Sequence, residues 1–146
     1  MTTPTPANPA PLTAEERETF IASYIDAGLF AETDDDENPL DVPTEDRDSY
    51  SRDDLTEEAR REVEAECDKF IADNLSLLRE AEEHGCDLDR SGHNFWLNRR
   101  GHGSGFWDED GLPKDLGRKL SDACKKFNSG PIFMEDDKRE KLIYEG

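Results

Sequence analysis

The chain has 146 residues, 33 % of them apolar and 38 % charged, with a formal net charge of −19 at pH 7. That length holds one small domain with a thin core, and that charge favours solubility while repelling nucleic acid and anionic membranes. No apolar run approaches the roughly 20 residues that cross a bilayer, so direct nucleic-acid binding and membrane residence are both disfavoured.

Residues 1–11, rich in Thr, Pro and Ala, have neither the basic start nor the apolar centre of a secretory signal and are expected to form a disordered lead-in. A single small α+β domain is expected over 12–146. Thr13 and Glu16 make a capping box ahead of Phe20, Ile21, Tyr24 and Ile25, which predicts a helix over 14–27 stopped by Gly28. Residues 31–50 carry prolines and a run of acids and read as a solvated acidic loop. From Ser51 to Gly85, apolar residues recur every three or four positions (Leu55, Ala59, Val63, Cys67, Phe70, Ile71, Leu75, Leu78, Ala81), the pattern of one helix of about eight turns.

In "HNFWLNRRGHGSGFWDED" (93–110), Phe95 and Leu97 alternate with Asn94, Trp96 and Asn98, and glycines follow. This predicts a β-hairpin with a glycine-rich connection, Trp96 pointing away from Phe95 and Leu97. Pro113 opens a further helix bearing Leu116, Leu120, Ala123, Cys124 and Phe127. Ile132–Glu135 then pairs with 141–144 in a second hairpin. The expected architecture is therefore three helices with two β-hairpins forming a small antiparallel sheet.

Charge is unevenly distributed. Between residues 32 and 68 stand 17 acids and 4 arginines, whereas residues 90–146 hold 11 basic and 10 acidic residues. Asp54, Glu58, Glu62 and Glu66 step by four along the predicted helix, a carboxylate row that could imitate the line of DNA phosphates and meet a basic partner. A solvated helix face explains the same spacing. Replacing all four by amides is expected to leave the fold intact, because like charges four apart repel.

Residues 93–108 offer a second candidate surface through Trp96, Arg99, Arg100, His102 and Trp107. The two arginines among aromatics could stack on single-stranded nucleic acid, or pair with the acidic helix of their own chain. His84, Cys86, His93 and His102 are all zinc-ligating types, but their spacing fits none of the usual paired patterns. D-x-D-x-S-G at 87–92 imitates the start of a calcium loop, yet Asn98 stands where a bidentate glutamate is needed. His93 or His102 could act as a general base in a small hydrolase or metal-dependent enzyme. No nucleophile elbow, P-loop or HExxH accompanies them, so no catalytic residue, metal or cofactor is assigned. Cys67, Cys86 and Cys124 lack CxxC spacing, which points to free thiols in a reducing cytoplasm.

Gly92, His93, Asn94, Phe95, Trp96, Leu97, Arg99, Gly101, His102, Gly103, Gly105, Phe106, Trp107 and Asp108 resemble the core of a family of small uncharacterised proteins of tailed bacteriophages and prophages, G-H-[DN]-F-W-L-x-R-x-G-H-G-x-G-F-W-D. The resemblance covers residues 85–146 and gives no residue a role. It implies a phage accessory protein working in the host cytoplasm. Together with the charge, it leads to the expectation of a non-enzymatic, DNA-mimicking inhibitor of a basic host DNA-binding or defence protein. The alternatives are a structural or regulatory phage protein binding through 93–108, and the histidine-centred enzyme.

Overall fold

The computed structural model describes residues 9–100, 105–127 and 132–145. Among them are five α-helices: α1 (Ala14–Ala31), α2 (Glu57–Asp73), α3 (Leu75–Glu83), α4 (Leu88–Arg100) and α5 (Lys114–Lys125). Two strands, β1 (Ile132–Glu135) and β2 (Leu142–Glu145), form a two-stranded antiparallel sheet. The fold is thus α+β but more helical than expected, and most of the expected lead-in lies outside the described residues.

The predicted capping box starts α1. Thr13 Oγ1 accepts from Glu16 N–H at 3.1 Å while Glu16 Oε1 accepts from Thr13 N–H at 2.9 Å. Arg79 of α3 secures this end by donating to both Glu16 carboxylate oxygens and to the Ala10 and Pro11 carbonyls. The helix does not stop at Gly28 but continues to Ala31. Gly28 is required for packing instead, because a Cβ there would collide with the Phe133 ring.

The expected eight-turn helix is divided. Ser51 and Asp54 do form a capping pair, but around a single 3-10 turn, Arg52–Asp54. Leu55 then bridges Leu142 in parallel, and Thr56 N–H donates to the Leu142 carbonyl at 2.9 Å, tying this joint to β2. Only then does α2 begin, with Thr56 as its cap. It ends where Asn74 donates both its backbone N–H and its side-chain amide to the Phe70 carbonyl, a local bond that competes with helix continuation. Beyond α3, Gly85 at φ 90° closes a Schellman motif, with Cys86 N–H on the Ala81 carbonyl and Gly85 N–H on that of Glu82.

The largest correction falls on residues 93–100, which are helical and form no strand. Asp87 caps α4, its Oδ1 accepting from Arg90 N–H at 2.8 Å, so the segment resembling a calcium loop is a helix start. Leu88, Ser91, Gly92, Phe95, Trp96 and Arg99 are all buried, a helical spacing. Phe95 and Trp96 are both fully buried, while Leu97 is only partly covered, so the expected alternation of faces fails.

Helix α4 packs most extensively on α1. The two backbones pack tightly at Gly92, where a Cβ would overlap the Phe20 carbonyl oxygen. Around this crossing lies an aromatic core. Phe70 stacks on Phe95 with centroids 4.1 Å apart, and Phe20, Tyr24, Phe106 and Phe127 surround the pair. The C-terminal hairpin forms where expected, shifted by one residue on its second strand, with Phe133 opposite Tyr144.

Candidate functional site

Helix α2 presents fewer free carboxylates than its sequence suggests. Asp54 lies before the helix and is occupied by Ser51. Glu66 Oε2 accepts from Arg99 Nη1 at 2.8 Å. Glu64 is held by Arg17 and Arg60, Asp68 by Arg17, Glu57 by Arg61 and Asp73 by Lys69. Of the expected row, Glu58 and Glu62 alone are exposed without an ion pair among the described residues.

Unneutralised charge is concentrated instead in the acidic loop, and that loop is built rather than merely solvated. Leu40 is fully buried and Tyr50 nearly so. Arg47 sits at the centre. Its Nη1 donates to the carbonyls of Val42 (2.9 Å), Asp48 (3.2 Å) and Leu40 (3.4 Å), and its Nη2 to Pro39 O (3.2 Å) and Asp34 Oδ2 (3.0 Å). The guanidinium also lies over the Tyr50 ring, 4.9 Å from its centroid. Asp34 Oδ1 accepts from the Asp36 and Asn38 N–H groups, both at 2.9 Å. Those backbone bonds, with the Arg47 guanidinium, hold the Asp34 carboxyl below its usual pKa. Around this knot Asp35, Asp36, Glu37, Asp41, Glu45, Asp46 and Asp48 point their charge outward, none in an ion pair among the described residues. In the sequence, one arginine inside an acid run was the available sign of this arrangement.

The residues proposed as a second surface are mostly internal. Trp96 is fully buried and Arg99 is 6 % exposed. Arg99 Nη1 lies 3.0 Å from Tyr24 Oη and 3.2 Å from Tyr144 Oη, besides Glu66, and the two phenol oxygens are 2.5 Å apart. The guanidinium carbon also stands 5.6 and 5.4 Å from the Phe95 and Phe127 ring centres. Arg100 is partly buried and reaches Glu32 at 3.4 Å. Both arginines therefore serve the internal alternative, pairing with the anionic front of their own chain. Trp107 is 57 % exposed, and His102, with Gly101 and Gly103, lies outside the described residues.

The remaining residues of the 92–108 stretch hold the fold together. Asn98 Oδ1 accepts from Phe106 N–H at 2.7 Å, Asp108 Oδ1 from Gly105 N–H at 2.8 Å, and Glu109 Oε1 from Arg90 Nε at 2.6 Å. Burial and the neighbouring Arg90 hold His93 below its usual pKa. Cys67, Cys86 and Cys124 are buried free thiols, each pushed up by burial. Among the described residues no group of three or more His, Cys, Asp or Glu side chains could hold a metal ion, and no helix is long and apolar enough to cross a membrane.

Two exposed apolar side chains adjoin the acidic loop: Phe30, 72 % exposed near the end of α1, and Val42, 45 % exposed. Neither was singled out in the sequence. Phe30 could have been, since it falls four residues after Asp26, on the stripe that stays exposed where the second half of α1 is buried. Comparison with protein-family models, curated proteins and solved structures finds no match to this chain.

Proposed function

We propose that this chain is a non-enzymatic anionic binding protein that covers a basic, DNA-holding surface of a host protein. The observation that carries this reading is the array of seven outward carboxylates on a loop fixed around Arg47. Charges on a fixed frame meet a cationic surface without first paying the entropy of ordering the loop. Their density imitates the phosphate line of DNA more closely than Glu58 and Glu62 alone do. The similarity of residues 92–108 to a bacteriophage family supplies the setting, an accessory protein acting in the host cytoplasm.

Capture from host lysate at low salt identifies the partner, and competition with labelled duplex DNA then tests the role. Wild-type chain is expected to displace the DNA, less effectively as salt rises. The variant Asp35→Asn, Asp36→Asn, Asp41→Asn, Asp46→Asn is expected to fail. Equal displacement by that variant removes the mimicry. A second reading places the partner on the 92–108 side of the molecule, and the exposure of Trp107 favours it. Loss of capture on Trp107→Ala, with the loop variant still captured, selects that reading.

A further inference from the structure

We infer that Phe30 and Val42 form the apolar anchor of the partner site, and that the partner presents a cationic amphipathic segment: apolar side chains flanked by Lys or Arg. This rests on the anionic-binding reading above and gives it a location. The backbone brings the two anchors onto adjoining segments, because Asp41 N–H donates to Leu29 O and Leu40 N–H to Glu32 O, setting residues 40–42 against the last turn of α1. From Phe20 to Leu29 every residue of α1 except Asp26 is buried, so Asp26 and Phe30 share the helix's exposed stripe. An exposed phenyl ring on that stripe contributes nothing to the core. Aromatic side chains, phenylalanine among them, are enriched at the cores of protein interfaces.

The surroundings specify the occupant. Carboxylates of Asp26 and Asp41 flank the anchors, with the acids of the loop beyond. Although its side chain is exposed, partial desolvation of the Asp26 carboxylate raises it above its usual pKa despite Arg52, and Asp89 and Asp41 act on it in the same direction, so like charges converge here. A cation brought by the partner relieves that repulsion. A second copy of this chain would bring more carboxylates to the same place, which disfavours self-association through this patch. Arg52 Nε, 3.4 Å from Asp26 Oδ1, is a partial internal counter-charge on an exposed side chain.

The test is titration of the full-length, isotope-labelled chain with two synthetic peptides of equal charge, an amphipathic Lys/Leu helix and a Lys-rich peptide without leucine, followed by amide chemical shifts. The Lys/Leu helix is expected to perturb residues 26–31 and 41–42 most. Phe30→Ser is expected to weaken its binding about ten-fold while changing the leucine-free peptide less than about two-fold. Val42→Ser gives a smaller loss in the same direction. Both side chains are exposed, so the variants are expected to melt as wild type does. Unchanged affinity in both variants, perturbations centred on Glu58 and Glu62, or a wild-type dimer that Phe30→Ser dissociates would each overturn the anchor and leave the anionic-binding reading standing. Failure of both peptides to bind at low salt would overturn both.

Discussion

At Arg99 a full positive charge is held inside the molecule, with one carboxylate and two phenols as its polar partners. Removing one member of a buried pair leaves the other charge uncompensated, which costs about 3–5 kcal/mol. Arg99→Ala is therefore expected to lower stability by about that amount in denaturant melts. Glu66→Gln keeps an oxygen that can accept from Arg99 but leaves the buried guanidinium without its counter-charge, and is expected to cost at least the roughly 1.5–3 kcal/mol of a charged hydrogen bond. Of the four amides along the row, the one at Glu66 is thus expected to lower stability, because it removes an ion pair. The phenols make a separate prediction. Burial raises Tyr24, Tyr50 and Tyr144 above the ordinary value of 10.0, Tyr50 also through its bond to Glu135. Above pH 10 the unfolded chain releases protons that the folded chain keeps, so this stabilisation is complete below pH 10 and declines as pH rises. The chain has three tyrosines, so tyrosinate absorbance is expected to appear only together with loss of helical circular dichroism. A tyrosine ionising near pH 10 in the intact fold would contradict its burial.

Among the elements, those with long periodic runs were legible. Helices α1, α2, α3 and α5 and the C-terminal hairpin stand where apolar spacing puts them, apart from the run of α1 past Gly28, the start of α2 at Glu57 and not at Ser51, the division at Asn74 and a register step. Helix α4 was not legible, for a physical reason. Over the five residues 94–98, period two and period 3.6 place apolar residues almost equally well. The deciding signals lay outside that window: Asp87 as cap, and Leu88 and Arg99 continuing the helical spacing. Arg99 counted as polar on the sequence, although its buried partners make it part of the core. Gly92 read only as part of a segment imitating a calcium loop, whereas it permits the α1–α4 crossing. Gly92→Ala must push the Phe20 backbone away, and overpacking of this kind costs about 1–3 kcal/mol. It is expected to lower the melting temperature and alter the near-ultraviolet aromatic signal. Gly85→Ala is the contrast, since its φ of 90° is strained for alanine but the added methyl meets open space. That variant is expected to lose some stability with the aromatic signal unchanged, and identical aromatic changes in the two would deny Gly92 its packing role.

For the whole molecule, the uneven charge was legible, and its use only in part. Three of the seven carboxylates of α2, Glu64, Glu66 and Asp68, are matched by Arg17 and Arg99 of other helices, contacts that no local pattern reveals, and Glu57 and Asp73 by partners four residues away on α2 itself. Besides Glu58 and Glu62, what remains outward on this front is the loop, and Arg47 decides whether its charges form a fixed array or a mobile cloud. Two substitutions separate these possibilities because each takes the formal net charge from −19 to −20. Arg47→Ala removes the centre of the loop, where arginine and Asp34 are both largely buried. Arg61→Ala removes only an exposed pair with Glu57, worth about 0.2–1 kcal/mol at most. If affinity for the basic partner followed net charge, both variants would bind as well as wild type or slightly better. If it follows presentation, Arg47→Ala binds more weakly despite its extra negative charge, while Arg61→Ala does not. The second result is expected. Hydrogen exchange supplies the structural readout: the amides of Asn38, Leu40, Thr44 and Tyr50, bonded within this region, should lose protection in Arg47→Ala. Those of α2 and α4 should keep it, showing that the loop opened while the helices stayed folded. Protection lost in the loop with affinity unchanged would mean that the partner reads the charge alone, and the fixed array would have no part in binding.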